Sequence, residues 1–81
     1  MKIVWDEPKR RVNLDKHGID FASIGDEFFV SALVRPARSG RFAAIGRLDD
    51  VVAVIFAVLG TEGVSIVSAR PASRKERELL P

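Results

Sequence analysis

The stretch RFAAIGRLDDVVAVIFAV, residues 41–58, reads as two strands joined by a tight turn. Strand side chains point to opposite faces with period two. In the first segment Phe42, Ala44, Gly46 and Leu48 therefore share one face, and Arg41, Ala43, Ile45 and Arg47 share the other. The second segment, VVAVIFAV, is apolar at every position, the pattern of a central strand covered on both sides. Helices supply one cover; the final helix or a partner protein supplies the other. Asp49 and Asp50 are turn formers, and turn chemistry explains the pair better than a metal site does. Two guanidinium groups make the arginine face a poor candidate for an apolar core. It is met either by solvent and acids along a sheet edge or by an anionic ligand.

Further turn signals at ARSG (37–40) and GTEG (60–63) flank this hairpin. Together they divide the chain from Ser31 onward into four strands joined as successive hairpins. SIVSAR (65–70) is the last of them, and Pro71 closes it because proline cannot continue an interior ladder. Ser73 with Glu76 three residues on is a capping box, so SRKERELL (73–80) is expected to be a short helix.

On the amino-terminal side, KIVW (2–5) is a short strand. A helix then starts at Asp6 or Glu7 with Pro8 in its first turn, and Gly18 ends it. Lys9, Asn13 and His17 stack along one face of that helix, with Lys16 beside them. A second helix from the Asp20 cap carries Phe21, Ile24 and Phe28 toward the core. The expectation is one α+β domain over residues 1–81: a short N-terminal strand, two helices, an antiparallel four-stranded meander and a short C-terminal helix.

With 47% apolar and 30% charged residues, the 81-residue chain has a globular composition, sufficient for one core. It has no cysteine and one histidine, so neither a disulfide framework nor a zinc constellation is expected, and no cofactor is implied. There is no phosphate-cradling glycine loop and no serine in a nucleophile elbow. The longest apolar run, Val51 to Leu59, is too short to cross a bilayer, and no signal-peptide layout opens the sequence, so a cytoplasmic protein without a membrane partner is expected.

The net charge is only +2, but no acid occurs between Glu27 and Asp49, where Arg35, Arg38, Arg41 and Arg47 all fall. Arginine binds phosphate in a planar, bidentate way, so the block points toward nucleic acid. RNA cleavage is the chemistry that asks least of such a residue set. The ribose 2′-OH is a nucleophile already present in the substrate, and an enzyme then contributes in-line positioning and stabilisation of the phosphorane charge. Arg41, Arg47 and Arg70 are the candidates for holding the phosphate, and His17 or Lys16 for moving a proton. Bland readings stand beside these. His17 interacts with the last carbonyls of its helix, and Arg70 forms an ion pair with Glu76 or Glu78.

WDEPKRRVNLDKHGIDF (5–21), GRFAAIGRL (40–48), SIVSAR (65–70) and ASRKERE (72–78) together resemble the BrnT family of bacterial toxins. The W-D, N-x-x-K-H-G, I-G-R and S-A-R motifs carry the resemblance in combination. It implies a RelE-like α+β fold, metal-independent endoribonuclease activity that inhibits translation, and a BrnA-like ribbon-helix-helix antitoxin. Operator DNA would be bound only through that antitoxin, with autoregulation of the operon. The matching positions are Trp5, Asp6, Asn13, Lys16, His17, Gly18, Arg41, Gly46, Arg47, Ser68, Ala69, Arg70 and Glu76. Trp5 is expected in the core, and Gly18 and Gly46 are expected to serve the backbone. Lys9, Asn13, Lys16, Arg35, Arg38 and Glu76 are the expected RNA contacts. The chain departs from the family pattern at Ser65, at Val58 and Leu59, and at Leu79 and Leu80, where members often carry arginine, polar residues and tyrosine. The alternative reading is accordingly a catalytically reduced module that binds a partner protein or nucleic acid.

Overall fold

A computed structural model describes residues 1–81. In chain order it contains β1 (Lys2–Trp5), α1 (Glu7–His17), α2 (Asp26–Ser31), β2 (Leu33–Pro36), β3 (Phe42–Leu48), β4 (Asp50–Leu59), β5 (Gly63–Pro71) and α3 (Arg74–Glu78). The central hairpin forms as expected, with Phe42 opposite Phe56 and Leu48 opposite Asp50. Asp49 alone turns the chain, in the left-handed region (φ 65°) that Asp tolerates better than most residues. Strands β2 to β5 are a meander, also as expected.

The sheet has five strands rather than four. β1 joins it parallel to β5, with Lys2 opposite Gly63 and Trp5 opposite Ile66, which gives the order β1-β5-β4-β3-β2. Four residues, three of them apolar, carry no information about which strand will satisfy their backbone donors and acceptors. The second expected helix is also broken. Asp20 caps a single 3₁₀ turn, Phe21–Ser23, by accepting from the Ala22 amide at 2.9 Å. The chain then becomes extended at Gly25 before α2 begins. Phe21, Ile24 and Phe28 nevertheless all reach the core, on Ala44, Val54, Phe56 and Ile66 of the helix-covered face. No helix is long and apolar enough to cross a membrane.

The arginine-bearing face of β3 proves more apolar than expected. Ile45 is buried in a small second core with Val51 and Ala53, and Ala72 and Leu80 of the C-terminal segment pack over it. Charge stays at the two ends of the strand, where Arg41 and Arg47 remain exposed. Small residues at the centre let the segment after β5 fold back and cover it.

Gly18 serves the backbone as expected, ending α1 at φ 71° and donating to the Leu14 carbonyl. Gly46 does not. A Cβ there would lie 2.9 Å from the Phe28 ring and 3.3 Å from the Ala32 Cβ, so its hydrogen makes room for the helix above the sheet. Gly46→Ala is expected to lower stability by about 1–3 kcal/mol through overpacking. Thermal denaturation checks this, and an unchanged midpoint would mean that Phe28 moves aside freely.

Candidate functional site

Two grooves receive most of the candidate residues, and β5 borders both. The first lies on the arginine face, with a volume of about 410 Å³. Ala43 and Ile55 are among its lining residues, and Arg38, Arg41, Arg70 and Glu76 supply its charge. Local turn geometry explains two of the arginines. Ser39 and Gly40 adopt left-handed conformations, and the Ala37 amide donates to the Arg41 carbonyl at 2.8 Å, so the loop closes with Arg38 and Arg41 at one end of β3.

Arg70 arrives by a different device. Plain alternation along β5 would place Arg70 on the same face as Ile66, in the core. A bulge prevents this: Ile66 pairs with Phe56 and Ser68 pairs with Ile55, leaving Val67 as an extra residue. Ile66 and Ala69 both pack in the helix-covered core, while Arg70 stands opposite Ala53 on the arginine face. The bulge thus aims the side chain, a use to which such irregularities are often put.

Glu76 fixes Arg70. Its carboxylate accepts from Arg70 Nη1 at 2.7 Å and Nη2 at 2.9 Å, and also from the Ser73 amide at 2.7 Å. The expected capping box is therefore present and does more than start α3, because the same carboxylate clamps a strand residue. The Arg70 guanidinium, aided by the Ser73 amide and opposed by partial burial, holds the Glu76 carboxyl down to about 2. At neutral pH Glu76 is thus an anion that orients a cation, with no proton to donate. Arg38 and Arg41 make no side-chain hydrogen bond or ion pair within the protein, which leaves their donors available.

This pair has a stability signature. A carboxyl depressed in the folded state stabilises above its unfolded value near 4.5, and that contribution fades as pH falls toward about 2. Glu76→Gln is expected to cost about 1–2 kcal/mol at neutral pH, given screening on the open side of the groove. Denaturant titration should show the gap between parent and variant narrowing below pH 4.5. A gap independent of pH would refute the assignment.

The second groove, about 380 Å³, runs between α1 and β5 and is lined in part by Lys9, Lys16, His17, Val12 and Ser68. The stacking of Lys9, Asn13 and His17 is realised, but Asn13 has another task. It is 6% exposed, donates to the Ile19 carbonyl at 2.9 Å and accepts from the Ala69 amide at 3.0 Å. Pairing between β1 and β5 ends at Trp5 and Ile66, so the fully buried Ala69, paired with Val54 of β4 on one side, has no strand on the other, and the Asn13 amide stands in for one. Asn13 thus joins α1 to β5 with both ends of its amide, and it also lines the groove. Lys9, Lys16 and His17 have no side-chain hydrogen bond within the protein, and Lys16 and His17 stand in the last turn of α1, beside the Gly18 cap.

The expected convergence of cations is therefore partial. Arg47 is six residues from Arg41, roughly 20 Å along the strand, and donates to the Pro81 carbonyl at 2.8 Å. Arg35 is exposed on β2 opposite Ala43, beside the arginine groove but outside its lining. Lys16 and His17 border the α1 groove instead. The pairing of Arg70 with Glu76 is one of the two ion pairs expected from the sequence; the bulge is not among the expectations, although the run Ile66-Val67-Ser68-Ala69-Arg70 breaks alternation there.

A family model described as "Ribonuclease toxin, BrnT, of type II toxin-antitoxin system" matches residues 5–76. Among solved structures, the chain is similar to the crystal structure of the Brucella abortus ribonuclease toxin BrnT. Identity is 50% with a TM-score of 0.84, over 91% of this chain and 99% of that one. No curated protein matches the sequence.

Proposed function

This chain belongs to the BrnT family of ribonuclease toxins of type II toxin–antitoxin systems, and on that premise we propose that it cleaves RNA in the arginine groove without a metal. The observation that carries this reading is the meeting of Arg38, Arg41 and Arg70 in one concavity, two of them free of protein partners. Such a cradle suits a phosphodiester, whose charge grows as the 2′-OH attacks. Attack expels the 5′-oxygen of the next nucleotide and leaves a 2′,3′-cyclic phosphate and a 5′-OH. Preorganised guanidinium groups lower that barrier because they are held in place before the charge develops. Arg70, oriented by Glu76, contributes a fixed fork; Arg41 and Arg38 close on the phosphate from the opposite strand end.

The neighbouring nucleotide lies across β5 in the α1 groove. Ser68 borders that groove and Arg70 the other, two residues or about 7 Å apart along the strand. Lys9 and Lys16 hold the backbone there, and His17 or Lys16 exchanges the proton. Loss of messenger RNA inhibits translation. A BrnA-like ribbon-helix-helix antitoxin restrains the toxin, and operator DNA is bound through that partner to autoregulate the operon.

The test uses toxin freed of antitoxin, incubated with RNA in the presence of a chelator. New ends should carry 5′-OH and cyclic phosphate. Intact RNA from well-folded protein refutes the enzymatic reading. Glu76 occupying Arg70 and His17 standing outside the arginine groove favour a second reading, a catalytically reduced binder. That reading predicts salt-sensitive RNA binding with no new ends.

A further inference from the structure

β2 is the end strand of the sheet, and all four of its residues are exposed. Its inner edge pairs with β3, and its outer edge faces no strand; since Ala37 bonds inward to Arg41, alternation turns the Val34 N–H and the Val34 and Pro36 carbonyls outward and leaves them open. At the opposite end of the sheet β1 is half-buried from Ile3 to Trp5. The apolar side chains about the β2 edge are uncovered too: Val30 is 85% exposed, Val34 47% and Leu33 40%. Arg35, Arg38 and Arg41 stand on or beside this strand without ion pairs, and no acid occurs between Glu27 and Asp49 to neutralise them.

We propose that the β2 edge receives an extended acidic segment of the antitoxin as a sixth strand, whose carboxylates reach past Pro36 into the arginine groove. This inference rests on the toxin–antitoxin reading above. Strand addition supplies main-chain hydrogen bonds, and alternate side chains then select the partner. Here the segment's apolar residues cover Val34, Leu33 and Val30, while its acids meet Arg35, Arg38 and Arg41. Pro36 lacks an N–H, so pairing stops there, at the rim of the groove. RNA suits this surface less well, because phosphates gain nothing from the valines and can use only the N–H groups of an open peptide edge, while its carbonyls repel them. A second copy of the chain suits it less as well, since it would bring one arginine block against another.

The experiment uses the toxin co-expressed and purified with the antitoxin encoded beside it. Hydrogen exchange at the Val34 amide, the outward-facing donor among residues 33–35, is expected to slow at least a hundredfold on complex formation. Arg35→Glu, an exposed site without partners, should weaken the complex about thirtyfold to a hundredfold at low salt, with an unchanged melting temperature for the free toxin. Unchanged exchange at Val34 in a formed complex, unaltered affinity of the Arg35→Glu variant, or failure of any complex to form overturns the proposal. So does protection of the same amide by an RNA oligonucleotide instead. Antitoxin binding is measured without RNA, so a toxin that binds at β2 but leaves RNA intact would overturn the enzymatic reading alone.

Discussion

Arg41→Ala is expected to lower RNA cleavage about tenfold to a hundredfold, below the cost of a fully preorganised charge-stabilising donor because no protein group holds its guanidinium, with the thermal midpoint nearly unchanged. Arg41 is the cleanest probe of the arginine groove because its guanidinium makes no contact that folding needs, whereas removing Arg70 would strand the Glu76 carboxylate. The partner measurement is Arg47→Ala. That residue sits at the far end of β3, bonded to the Pro81 carbonyl, and its loss should leave cleavage within about threefold of the parent. Single-turnover assays on a defined RNA separate the two outcomes. Equal losses at both positions would indicate a diffuse electrostatic attraction for RNA, and full activity in Arg41→Ala would place the chemistry elsewhere.

Asn13→Leu should produce the largest loss of stability, about 2–4 kcal/mol, which for a domain of this size lowers the midpoint by roughly 10–25 °C. The variant removes the acceptor for the buried Ala69 amide and the donor to the Ile19 carbonyl at once. Asn13→Asp separates the two halves, since it keeps the acceptor and loses the donor, and should fall between parent and Leu. Urea unfolding of the three proteins checks the order. If Asn13→Leu is as stable as the parent, β5 has another way to satisfy its edge.

Much of the fold was legible because it is local. Pro8 after Asp6 starts a helix for reasons internal to four residues, as Gly18 ends it and Ser73 with Glu76 starts the last one. Alternation in residues 42–48 and the turn at Asp49 specify a hairpin without reference to the rest of the chain. The stripe of Phe21, Ile24 and Phe28 survives even though the helix bearing it breaks, because each side chain needs only to reach the core.

The site was legible in kind and not in arrangement. Motif positions such as Arg41, Arg70 and His17 could be named, yet Arg41 and Arg47 share a strand face without sharing a ligand, because strand rise separates them. The residue types, the turns and caps, and the arginine-rich character of one surface follow from sequence, since nearest-neighbour sterics and charge settle them. Tertiary structure alone decided that β1 pairs with β5, that Asn13 replaces a missing strand, and that a bulge at Val67 turns Arg70 out of the core toward Arg41. Each of these depends on which distant backbone groups lie within hydrogen-bonding reach, a quantity that has no value until the chain has folded.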